Sequence, residues 1–177
     1  MAVRREEGKL EPHPDVGMVF NITKFEKPDQ HGCDERCAEI GWKDFLDGDY
    51  ELHVANGVQH VKIHQHARKN GDAGIARHFE AHPGEVYRLT AVVRIKSQKG
   101  EFKCRVNLAP RRLWAEQTGK EGNRSQEEPT RDPVKRDCTQ EMHPETQMVT
   151  ARVKFHTFHP GEAGEGEIYS MKLERLK

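Results

Sequence analysis

The chain has 177 residues, a length that suits one domain. Only 34% of it is hydrophobic against 33% charged, so its core must be thin and supplied by one face of each element, as in stacked sheets. Lys+Arg and Asp+Glu both total 29, which excludes a bulk charge that would draw the chain to nucleic acid or to a membrane surface.

No apolar run approaches the roughly 20 residues of a membrane helix. MAVRREEGKLEPHPD has no apolar h-region, so no signal peptide is read. An extracellular or virion-surface role stays open. Residues 1–15 are charged and proline-dotted and read as a flexible tail before a single domain over 16–177.

GMVFNITKFE (17–26) is a first predicted strand, rich in β-branched and aromatic residues. From 27 to 46 the pattern breaks up, and DERCAEIGW reads as about two helical turns. DYELHVANG (49–57) predicts a strand entering an Asn-Gly turn, and VQHVKIHQH alternates as the next. GIARHFEAH is another strand, closed by the turn residues Pro83 and Gly84. After them Tyr87, Leu89, Ala91, Val93 and Ile95 alternate with Arg88, Thr90, Arg94 and Lys96, which predicts a strand with one buried and one wet face. EFKCRVNLA (101–109) repeats that pattern. Residues 110–147 carry almost no apolar periodicity and read as one long inserted polar loop. MVTARVKFHTF (148–158) resumes the alternation, HPGEAGEGE reads as a turn, and IYSMKLERL as the last strand. The class predicted is all-β, an antiparallel β-sandwich or jelly roll.

The order of these pieces resembles the jelly-roll carbohydrate-binding modules appended to xylanases and glucanases, in the galactose-binding-like superfamily. The spacing aromatic-x-x-x-Pro-Gly-x-x-Tyr-x-Leu-x-Ala carries the resemblance, through Phe79, Pro83, Gly84, Tyr87, Leu89 and Ala91. These are core and turn residues, so they speak for architecture and not for a ligand. The resemblance implies glycan binding through exposed aromatics, for which Trp42, Tyr50 and Trp114 are the candidates. It also implies a structural calcium. Glu26 matches one expected ligand, but Ser170 and Met171 stand where two aspartates would complete the site.

The outward strand positions are basic. Arg88, Arg94, Lys103, Arg105, Asn107, Arg152, Lys154 and His156 are the candidate ligand-binding residues, with the acids assigned to turns and tails. If these strands were neighbours they would form a positive face for an anionic ligand, since Arg binds carboxylate or sulfate bidentately. An acidic glycan fits better than nucleic acid, for which no binding motif is present.

Two stretches have metal-ligand character. His64-Gln65-His66 has the i, i+2 geometry of a cupin-like metalloenzyme strand, but no fitting acid or downstream histidine follows. Cys33 and Cys37, with His31, Cys138 or His143, could complete a zinc site, although no second close cysteine pair exists. The expectation is therefore a non-catalytic module that binds a glycan, with no certain cofactor. Its alternative is a structural or assembly protein that self-associates on the virion or cell surface.

Overall fold

The computed structural model describes residues 10–26, 48–65 and 72–177. The expected helical turns at 34–42 lie outside them. The described residues form eleven strands and no helix. They are β1 (Leu10–Glu11), β2 (Gly17–Ile22), β3 (Gly48–Ala55), β4 (Val58–Gln65), β5 (Asp72–Glu80), β6 (Val86–Lys99), β7 (Phe102–Arg111), β8 (Gly122–Gln126), β9 (Val134–Glu141), β10 (Met148–Thr157) and β11 (Ala163–Arg175).

One sheet has the order β1-β5-β10-β7-β8, and the other β3-β4-β11-β6-β9 with β2 also paired to β11. β11 is long enough to pair β6 along one side while β4 and then β2 share the other. All pairings are antiparallel except that of β1 with β5. This is the all-β sandwich that the alternation predicts.

The inward rows meet as expected. Tyr87, Leu89, Ala91, Val93 and Ile95 are all 0% exposed, as are Phe102, Cys104 and Leu108 from the facing sheet. The rings of Phe102 and Phe155 stack with centroids 5.5 Å apart and fill space opposite two inward glycines of β11, Gly164 and Gly166. The β3–β4 hairpin closes on Asn56 and Gly57, whose φ values of 54° and 78° suit the two-residue turn that matches strand twist.

The Pro83-Gly84 turn is tied down by the carboxylate beside it. Glu85 is buried and accepts hydrogen bonds from the His82 backbone N–H (2.7 Å) and the Tyr87 hydroxyl (3.0 Å). Arg175 lies 2.8 Å from its other oxygen and His13 2.5 Å. One side chain thus joins the N-terminal segment, the turn, β6 and β11.

Residues 110–147 differ from the expected loop. β8 pairs with β7 and β9 with β6 within this stretch. Both are terminal strands of their sheets with few apolar inward positions, Val134 and Cys138 being the main ones, so no period-2 signal marked them. Leu10 and Glu11, inside the expected tail, pair with His78 and Phe79. No helix of the described residues is long and apolar enough to cross a membrane.

Candidate functional site

The outer face of the five-stranded sheet collects six of the residues singled out in the sequence. Register sets Lys103 opposite His156, Arg105 opposite Lys154, and Asn107 opposite Arg152. The next row along is His78, Thr150 and Ala109. Asn107 Oδ1 accepts two hydrogen bonds from Arg152, at 2.9 and 2.7 Å, and Glu121 lies 3.4 Å from the same guanidinium. Lys103 is ion-paired with Glu101 and Glu127, both at 3.2 Å, and sits 5.4 Å from the Phe158 ring centroid. Hydrogen bonds to those two glutamates hold its ammonium pKa above the ordinary lysine value.

Trp114 stands at one end of this face, in the loop after β7. Its φ of 53° is uncommon for a bulky non-glycine residue, and the surrounding loop holds it there. Its backbone N–H meets Met148 Sδ at 3.1 Å, and the Leu113 N–H donates to Gln147 Oε1 at 3.0 Å. The buried Arg111 donates to the Ala115 carbonyl through Nε (2.9 Å) and Nη2. The half-buried indole packs edge-on against His78 at 4.9 Å, and His78 Nδ1 is 2.9 Å from Thr150 Oγ1.

The expected single basic face divides. Arg88 and Arg94 belong to β6 and so to the other sheet. There Arg88 meets Glu174 at 3.2 Å, Arg94 meets Glu167 at 3.3 Å, and Lys62 meets Glu165 at 3.8 Å. The cause is visible in β11. Residues 163–167, expected as part of a turn, are the start of that strand, and its glutamates stand between the basic rows of β4 and β6. Cross-strand pairing of opposite charge neutralises this face.

The remaining candidates do not join the site. Tyr50 belongs to β3, at an end of the six-stranded sheet. Trp42, Cys33, Cys37, His31 and His66 lie outside the described residues. His64 is exposed on β4, in the sheet opposite the candidate site. Cys104 and Cys138 are buried free thiols: burial holds Cys104 well above the ordinary thiol range and pushes Cys138 up to about 12.

Among the described residues, those that the resemblance implied for calcium do not come together as a site. Glu26 is exposed, Met171 is buried in the core, and Ser170 supplies no carboxylate. Among the described residues one trio, Glu101, His159 and Glu162, brings metal-ligating atoms together. Glu162 is already occupied there, accepting from the backbone N–H groups of Glu101 (2.5 Å), Phe158 (2.8 Å) and His159 (2.5 Å). Burial raises its pKa, but those three donors outweigh it and hold the carboxyl below the ordinary range. It fastens the β6–β7 turn to the β10–β11 turn.

His78, Thr150 and Glu121 were not among the sequence candidates. Thr150 was within reach, since it shares outward parity with Arg152 and Lys154 on β10. Glu121 had no strand pattern to place it.

Comparison of the whole fold with solved structures identifies its type. The CBM22-1 xylan-binding domain from Paenibacillus barcinonensis Xyn10C superposes with a TM-score of 0.56 at 10% identity, covering 93% of this chain and 98% of that one. The chain has a β-sandwich fold similar to that of carbohydrate-binding modules. A CBM4 structure matches with a TM-score of 0.51 at 10% identity, over 76% of this chain and 82% of its own. The enzymatically active domain of tailspike protein 4 from bacteriophage CBA120 matches at 0.50 with 9% identity, over 72% of this chain and 18% of that one. No protein-family model matches the sequence, and no curated protein matches it. Identities this low describe architecture, and a shared sandwich leaves any ligand to be argued from side chains.

Proposed function

We propose that the protein is a non-catalytic glycan-binding module, and that the outer face of its five-stranded sheet takes an acidic glycan with Trp114 as the stacking aromatic. The observation that carries this reading is the pairing of the part-exposed Arg105 and Lys154 on one sheet face, beside the buried Asn107, Arg152 and His156, with the half-buried Trp114 at its end. A guanidinium and an ammonium suit the oxygens of an acidic sugar, and an indole suits the apolar face of a pyranose. The xylan-binding module of similar fold supports a polysaccharide as the ligand class.

Trp114→Ala should weaken binding to a recognised polysaccharide about tenfold or more, the size of an interface anchor lost, without changing the melting temperature by more than a few degrees. Affinity electrophoresis across soluble plant and microbial polysaccharides checks this. Failure of the wild-type chain to bind any of them, together with self-association in solution, would turn the assignment to a structural or assembly role.

A further inference from the structure

Along β7 the outward cation positions are not equivalent. Lys103 is neutralised by two glutamates, and the Asn107 position is filled by its bond to Arg152, itself beside Glu121. Between them lies Arg105. Among the described residues it has neither a hydrogen bond nor an ion pair, and its Nε is buried without a partner. A guanidinium donor removed from water and left unbonded is unfavourable, and an incoming anion would satisfy it. Lys154 faces it from β10 and Ser125 from β8, so a second cation and a hydroxyl adjoin the same spot.

The register also separates this position, along the strand direction, from the row on which Trp114 packs. The indole packs on His78, whose row continues through Thr150 to Ala109 on β7. Arg105 is four residues from Ala109 along the same strand, which is about 14 Å at 3.4 Å per residue. One sugar ring cannot reach both.

Resting on the glycan-binding reading above, we propose that Arg105 receives the carboxylate or sulfate of one sugar while Trp114 stacks on another sugar of the same chain. The ligand is then an acidic oligosaccharide, and a single acidic sugar is too short. The fork of Arg105 gives two parallel charge-assisted hydrogen bonds to either anion.

Calorimetric titration of the full chain tests this with four probes: an oligogalacturonate tetramer, a sulfated glycosaminoglycan tetrasaccharide, neutral xylotetraose and free galacturonic acid. At least one acidic tetramer should bind about tenfold more tightly than either the neutral tetramer or the monosaccharide. The carboxylated and sulfated arms show which anion is preferred. Arg105→Gln should abolish that preference, while Arg105→Lys restores part of it, keeping the charge without the fork. Added salt should weaken the acidic ligand selectively. Unchanged preference in Arg105→Gln at an unaltered melting temperature, or equal binding of monosaccharide and tetramer, would overturn the inference. Equal binding of neutral and acidic tetramers would overturn it and spare glycan binding; no binding to any probe would overturn both.

Discussion

Phe155→Ala should lower the free energy of unfolding by about 3–5 kcal/mol, the range for removing a fully buried aromatic ring. Phe155 is 0% exposed and stacks on Phe102 of the same sheet, and both rings pack against β11 of the facing sheet. The fit is close: a Cβ built on Gly166 would lie 2.2 Å from Phe155 Cε1, and one on Gly164 2.3 Å from Phe102 Cγ. Gly166→Ala alone should therefore cost about 1–3 kcal/mol through overpacking. In the Phe155→Ala background that cost should shrink, because the added methyl enters the space the ring has left. Urea denaturation of the two single variants and the double variant measures the coupling, and strictly additive losses would contradict the packing described.

Glu85→Gln is expected to destabilise by about 3 kcal/mol, since it strips the charge from a buried carboxylate while Arg175 stays beside it. Burial raises the Glu85 pKa, but the His82 N–H and the side chains of His13 and Tyr87 pull harder the other way and hold the carboxyl below the ordinary glutamate range. A carboxyl whose folded pKa is depressed contributes stability that is complete above its unfolded pKa and is lost as pH falls through the folded one. Wild-type stability should thus fall on acidification below the ordinary carboxylate range, and Glu85→Gln should flatten part of that slope. Glu162 has the same sign and stays active in the variant, so the slope should diminish and not vanish. Melting temperatures recorded from pH 7 to pH 3 for both proteins check this.

Legibility in the sequence followed burial. Where one face of a strand is deep in the core and the other is wet, as in 87–96 and 101–109, alternation marked the strand and its inward residues. The Asn56-Gly57 and Pro83-Gly84 turns were readable because each needs a positive φ at glycine. β8 and β9 were hidden because strands at a sheet's end bury little, and the start of β11 because Ala-Gly-Glu-Gly-Glu has the composition of a turn. Its glycines are there to admit the Phe102 and Phe155 rings, a demand made by the opposite sheet that no local window contains.

The candidate site was legible only in part for the same reason. Outward parity on β7 and β10 was readable strand by strand, whereas the pairing order of the strands was not. Misplacing the β11 glutamates made two sheet faces look like one cationic surface. Sorting residues by sheet leaves Arg105, Asn107, Arg152, Lys154 and His156 as neighbours and removes Arg88 and Arg94 to a surface that neutralises itself.

On the proposed reading, ligand lands on the five-stranded sheet. Amide and indole chemical-shift mapping during titration with a bound acidic oligosaccharide tests it most directly. The largest shifts should fall on the Trp114 indole and on 105–107 and 152–154, with β3, β4 and β11 unmoved. Shifts concentrated on His60, Lys62 and Glu165 of the six-stranded sheet instead would contradict it.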